Sequence, residues 1–179
     1  MNVPFERSYW VVPGKFLAGC YPGAKRLDEE FKKLRGLLDA GILTIINLME
    51  KHETGWQGAV FEPYEENILI LAEDRGVEVG CLRIPVPDTS IPPVVTMKRI
   101  LDEIDTAIDR NRPVYVHCWG GRGRTGTVVG CWLVRHGEAT SDRALTMIQK
   151  LRENDPTRFE LSPENEEQRQ MVRAWEPGK

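Results

Sequence analysis

The stretch Val114-Tyr115-Val116-His117-Cys118-Trp119-Gly120-Gly121-Arg122-Gly123-Arg124-Thr125-Gly126 decides how the rest of the chain is read. Its opening run is short, apolar and rich in β-branched and aromatic side chains, which predicts a buried strand. From Thr125 to Arg135, Val128, Val129, Cys131, Trp132 and Leu133 recur at helical spacing. Strand, glycine-rich loop and helix set an anion at a helix N-terminus. The consecutive N–H groups of such a loop form a nest for oxyanions. A nucleotide-type loop is excluded, because no Lys followed by Ser or Thr closes the glycines, and the dinucleotide glycine spacing is also absent.

The chemistry follows from residue types. A thiol becomes a good nucleophile once it loses its proton. Loop amides, the helix terminus and Arg124 all favour the thiolate of Cys118. Arg124 can fork onto two phosphoryl oxygens together, which a lysine cannot. Trp119, Gly120, Gly121, Arg122 and Gly123 complete the expected phosphate-binding loop. The substrate group that suits all of these is a phosphate monoester. Attack by Cys118 would give a phosphocysteine and divide hydrolysis into two steps. Thr125 is expected to stabilise the sulfur as thiolate. His117 is expected to order the loop and help set the cysteine's reactivity, not to act as a general base.

A departing alkoxide or phenoxide needs a proton, and the attacking water later needs a base. One carboxylic acid serves both steps by switching role. Asp88 is the candidate, thirty positions before Cys118 and directly after Ile84-Pro85-Val86-Pro87. The prolines end a strand expected over 79–84, and a helix is expected over 94–110. Asp74, in a polar turn, and Asp102, on a solvated helix face, are weaker candidates. A plain turn or cap role for Asp88 stays open at this point.

His117-Cys118, five residues, then Arg124-Thr125-Gly126, with Gly121 and Gly123 flanking position 122, resembles the signature of the cysteine-dependent protein tyrosine and dual-specificity phosphatases. The likeness extends from about Lys15 to Trp175, and the compact size is more similar to the dual-specificity branch. It implies an α/β fold with a central, mainly parallel four- to five-stranded sheet flanked by helices. It also implies that Asp88, on a loop ahead of the cysteine, acts as general acid and then as base. Some members of this family protect an oxidised cysteine with a second one, which makes Cys20 and Cys81 candidates beside an ordinary core role for both. Cys131 is expected to be a buried helix residue.

The substrate class expected from this resemblance is a phosphotyrosine or mixed phosphoprotein or phosphopeptide. The alternative is a phosphoinositide, an inositol phosphate or another small phosphorylated molecule, because Arg122 adds a second positive charge to the loop. A phosphate-binding module without turnover is a further alternative, against which Cys118, Arg124 and Asp88 are all present. No metal or other cofactor is expected, since the arginine and amides stabilise the developing charge.

Composition sets the remaining bounds. The 179 residues carry a net charge of -3, which gives no support for nucleic-acid binding, and no basic stripe or aromatic platform accompanies it. No apolar run is long enough to span a bilayer. Met1–Trp10 is polar and unlike a signal peptide. A cytoplasmic location without a membrane anchor is therefore expected, where the thiol stays reduced. The four cysteines lack zinc-site spacing.

One catalytic domain is expected over 1–179, with 1–23 as an N-terminal extension or hairpin turning at Pro13-Gly14. Helices are expected over 28–40, 64–73 and 143–154, the second burying Ile68, Leu69, Leu71 and Ala72. A buried strand is expected over 42–48 and a loop over 53–63, with Lys51, His52, Trp56 or Arg158 near the pocket mouth. Asn47 and Glu50 lie near the end of that strand, where sites gather in such folds. A last helix is expected to start with Pro163 at its first position and to dock Met171, Val172 and Trp175.

Overall fold

A computed structural model describes residues 2–55, 58 and 60–179. Trp56 therefore lies outside the described residues. The strands are β1 (Ser8–Val12), β2 (Phe16–Gly19), β3 (Thr44–Asn47), β4 (Gly80–Arg83) and β5 (Val114–His117). The helices are α1 (Leu27–Asp39), α2 (Glu65–Glu73), α3 (Val94–Asp109), α4 (Arg124–Arg135), α5 (Ser141–Leu151) and α6 (Glu166–Arg173). The five strands form one sheet in the order β1-β2-β5-β3-β4. Only β1 runs antiparallel to its neighbour; β2, β5, β3 and β4 are parallel. The expected mainly parallel α/β architecture is what the chain adopts.

The alternation of side chains along each strand divides the core between two faces. Phe16, Ala18, Ile46, Val114 and Val116 point to one face, which α3, α4, α5 and α6 cover. Leu17, Ile45 and Tyr115 point to the other, beneath α1 and α2. All eight are fully buried. Burial of each large aliphatic among them stabilises the fold by roughly 1.5–3 kcal/mol. Burial on both faces explains why these strands read as continuous apolar runs.

Several boundaries differ from the sequence reading for local reasons. β1 and β2 form an antiparallel pair with Gly14 at φ 70 in the turn between them, and β2 also pairs with β5 inside the sheet. Leu69 is exposed, because Ile68, Leu71 and Ala72 already define the buried stripe of α2. The strand expected over 79–84 narrows to β4, although Ile84 and Val86 still donate to the carbonyls of Asn47 and Leu48. Pro163 does not open the last helix. Asn165 caps α6 instead, its side chain accepting from the Gln168 N–H, while Met171, Val172 and Trp175 dock as expected. Among the described residues no helix is long and apolar enough to cross a membrane.

Candidate active site

Parallel strands bring their C-terminal ends to one edge of the sheet, and side chains from separate parts of the sequence meet there. β5 ends at His117, and α4 begins at Arg124, so Cys118–Gly123 form a tight strand-to-helix loop. Gly121 sits at φ 72, and a Cβ there would lie 2.5 Å from the Gly19 carbonyl carbon and 2.6 Å from the Cys20 nitrogen. Only glycine lets this loop lie so close against the end of β2. Cys118 is nearly buried, 3% exposed, yet lines a cavity of about 620 Å³ together with Asp88, Arg122 and Arg124. Trp119, Gly120 and Gly123 line the same cavity.

Arg124 is the most heavily engaged group in the site. Its Nη1 donates to Glu53 Oε2 at 2.6 Å and to the Val86 carbonyl at 3.0 Å. Its Nη2 donates to Glu53 Oε1 at 2.7 Å and lies 2.8 Å from Asp88 Oδ1. Burial works against its charge, but the Glu53 hydrogen bonds and the charges of Cys118, Glu53 and Asp88 hold its pKa above the ordinary value. Glu53 was not singled out from sequence. It falls in a segment read only as loop, and its one sequence signal is a carboxylate just past the C-terminal end of β3. Glu50, which lies nearer that strand, is exposed.

Asp88 sits on the loop between β4 and α3, with its side chain 44% exposed. The loop is fastened from the far end of the chain. Asn165 Nδ2 donates to the Thr89 carbonyl at 2.7 Å, and Gln168 Nε2 donates to the Ser90 carbonyl at 3.3 Å. Thr89 adopts φ 59, a left-handed conformation that a β-branched residue rarely takes without such support. Neither Asn165 nor Gln168 could be assigned to this loop from sequence separation alone. Asp102 instead pairs with Arg135, and Asp74 ends α2, so neither enters the site.

His117 is fully buried and stacked on Tyr115. Its Nδ1 is 3.2 Å from the Cys118 carbonyl, and its Nε2 is 2.6 Å from the Tyr64 hydroxyl. A carbonyl only accepts, so Nδ1 carries the proton and Nε2 accepts from Tyr64. Burial pushes the His117 pKa down to about 3, which leaves the ring neutral near pH 7. It orients the loop backbone but brings no positive charge to the sulfur. The Thr125 hydroxyl donates to the Gly19 carbonyl at 3.4 Å, which ties the start of α4 to β2.

Arg122 faces the same cavity, but its guanidinium pairs with Glu160 and, at 3.2 Å, with Glu164. Its charge is therefore offset locally. Lys51, His52 and Arg158 do not line the cavity; the first two are exposed, and Arg158 lies over the ring of Phe159. Cys81 is exposed on edge strand β4. It is level with Tyr115 and two strands from β5, so its Cα lies roughly 14 Å from that of Cys118, beyond the roughly 7 Å limit for a bridge. Cys20 is buried and follows Gly19, the partner of His117 in the β2–β5 register, so its backbone is adjacent to that of Cys118.

A cysteine ahead of a glycine loop, an arginine opening the next helix and a carboxylate on a facing loop define the cysteine-dependent protein tyrosine and dual-specificity phosphatases. The chain belongs to this family: residues 18–138 match the family model described as Tc-R-P, polymorphic toxin system, DSP-PTPase phosphatase. It is 28% identical over 149 residues to the Mus musculus protein tyrosine phosphatase domain-containing protein 1, covering 82% of this chain and 19% of that protein. It is 28% identical over 131 residues to the Arabidopsis thaliana phosphatidylglycerophosphate phosphatase PTPMT2, covering 73% and 50% respectively. The match thus spans at most half the length of these two relatives. The solved structure of Tk-PTP in its active form superposes with a TM-score of 0.66 at 25% identity, over 94% of this chain and 95% of that one.

Proposed function

We propose that this chain hydrolyses phosphate monoesters of phosphoproteins, phosphotyrosine foremost, and that residues 1–179 act as one catalytic domain. The observation that carries this reading is the shared cavity of Cys118, Arg124 and Asp88, with Arg124 paired to Glu53. In the first step Cys118 Sγ attacks phosphorus, the bond to the leaving oxygen breaks, and protonated Asp88 donates its proton to that oxygen. In the second step Asp88 takes a proton from water as the water attacks phosphorus, and the P–S bond returns its electrons to Cys118. Arg124 and the loop amides stabilise the equatorial oxygens throughout.

Glu53 presents the arginine and is a positioning residue in this scheme. It engages Nη1 and Nη2 on one side, so Nε–H and the remaining Nη2–H face the phosphate. Asp88 stands beside Nη2 and has to swing away as the substrate arrives, toward the leaving group. The pairing of Arg122 with Glu160 and Glu164 favours a substrate with one phosphate at this position over a polyphosphorylated inositol.

The test is rapid quenching of the Asp88→Ala variant with p-nitrophenyl phosphate, whose acidic phenol departs without a proton, followed by mass spectrometry of the peptide containing Cys118. A phosphate adduct on Cys118 is expected, and its absence alongside continued turnover would overturn the mechanism. A parallel panel of phosphotyrosine and phosphoserine peptides, phosphoinositides and inositol phosphates tests the substrate class. Higher kcat/KM on an inositol substrate would reverse the preference stated here.

A further inference from the structure

Arg7 lines the reacting cavity and has no part in the mechanism. It precedes β1, far from the loop in sequence, but its Nη2 donates to the Gly120 carbonyl at 2.6 Å. Its backbone carbonyl accepts from the Cys20 N–H at 3.0 Å, which fixes the base of the side chain. Arg7 Nε is buried with no hydrogen-bond partner. Among the described residues no carboxylate forms an ion pair with Arg7, whereas Arg122 and Arg124 are each held by two.

Arg7 and Trp119 together form the partition between two cavities. One is the cavity of Cys118 and Arg124, and the other is a neighbouring groove of about 750 Å³. Phe5 and Tyr21 contribute aromatic wall to the groove, Lys32 and Lys33 bring further positive charge, and Glu6 and Glu29 stand among them. Lys33 Nζ donates to the Gly23 carbonyl at 3.1 Å and is held near the Phe5 ring. Positive charge from Arg7 and Lys33 also reaches the buried Cys20 thiol, partly countering the upward push of burial on its pKa.

We propose that Arg7, backed by Lys33 and Lys32, forms a second anion subsite that reads an acidic side chain next to the phosphorylated residue of a peptide substrate. The assignment rests on the phosphatase reading above and deepens it to a sequence preference. An extended peptide advances about 3.3–3.6 Å per residue, so a neighbouring Asp or Glu can reach Arg7 while the phosphate sits over Cys118. Guanidinium to carboxylate is a charge-assisted pairing, and Arg7 has N–H donors beyond the one given to Gly120. Apolar peptide side chains fit the aromatic wall. A membrane surface fits less well, because lipid-binding patches gather roughly four to eight basic residues, and here three cations are interrupted by two carboxylates.

The test compares phosphotyrosine peptides carrying Asp at positions flanking the phosphotyrosine with isosteric Asn peptides, and p-nitrophenyl phosphate as a minimal substrate. The wild type is expected to prefer the best Asp peptide about tenfold in kcat/KM, mainly through KM. Arg7→Gln is expected to remove most of that preference, and Arg7→Lys to keep part of it. Raising salt from about 0.1 M to about 1 M shortens the screening length from roughly 10 Å to roughly 3 Å and should shrink the preference in parallel. Equal losses on Asp peptide, Asn peptide and p-nitrophenyl phosphate would mean that Arg7 only braces Gly120, and would overturn the subsite. A stronger Arg7 dependence on phosphoinositide vesicles than on any Asp peptide would overturn the peptide assignment. Binding of the same peptides to the Cys118→Ser form, read by fluorescence anisotropy, reports the subsite even if turnover fails. Loss of turnover on every substrate with selective binding intact would count against the phosphatase reading and leave the subsite standing. If Arg7→Gln does not fold, Lys33→Gln and the salt dependence of the wild type carry the comparison.

Discussion

Asp88→Asn should act in opposite directions on binding and on chemistry. Three of the four Nη N–H groups of Arg124 already donate to Glu53 and Val86, and the Asp88 carboxylate stands 2.8 Å from Nη2. A bound phosphate needs that side of the guanidinium, so it competes with Asp88 for it. The Asp88 side chain is 44% exposed, so solvent screens the contact. With Asp88 open to solvent and Arg124 buried, its release is worth at least the roughly 0.2–1 kcal/mol of an exposed pair, which converts to roughly 1.4- to 5-fold in affinity. Asn keeps the shape and removes the negative charge, so inorganic phosphate or tungstate should bind a few-fold more tightly by isothermal titration calorimetry. Turnover should fall by about 10²–10⁴ with a poor leaving group, and much less with an acidic phenol that departs without a proton. Weaker oxyanion binding in Asp88→Asn would show that the carboxylate supports the pocket rather than competing in it. A loss independent of leaving group would remove the general-acid role.

The other predictions address the parts that hold the site together. Glu53→Gln leaves a buried guanidinium short of its main partner and should cost about 3–5 kcal/mol in urea unfolding. Phosphate should raise the Tm of this variant more than that of the wild type, and an equal rise would rule out phosphate as a replacement partner. Asn165→Ala should lose the α6 cap, at about 1 kcal/mol, as well as the tie to Thr89. Asn165→Asp keeps a cap but cannot donate to that carbonyl. If Asn165 positions the acid loop, both variants should lose kcat with poor leaving groups, even where Asp restores stability. His117 gives a pH signature, because burial lowers its pKa from 6.5 to about 3. Between those values the unfolded chain holds a proton that the native state lacks. Stability from this residue is thus complete above about pH 6.5 and is lost as pH falls toward about 3. Between pH 7 and pH 5 the loss should be about 2 kcal/mol, and the pH slope of His117→Gln should be shallower by that amount in denaturant titrations.

The short-range features were legible because they are written in contiguous residues. The strand into Cys118, the glycine loop and the helix from Arg124 depend on periodicity and local turn chemistry, and so does the loop carrying Asp88. These fixed the fold class and the nucleophile, arginine and acid candidates. Element ends were less legible. At Pro163 a good first-turn residue lost to Asn165, whose side chain supplies a real cap.

Which charges meet is decided by the tertiary structure. The parallel order β2-β5-β3-β4 gathers chain segments 71 to 113 residues apart at the C-terminal ends of the strands. That is how Glu53 comes to grip Arg124, Arg7 to touch Gly120, and Asn165 to hold Thr89. It is also how Glu160 and Glu164 offset Arg122, which in sequence is simply a positive residue within the loop. A linear pattern records the type of a side chain and its near neighbours. Pairing of charges depends on distances of a few ångströms that only the packed sheet and its helices set.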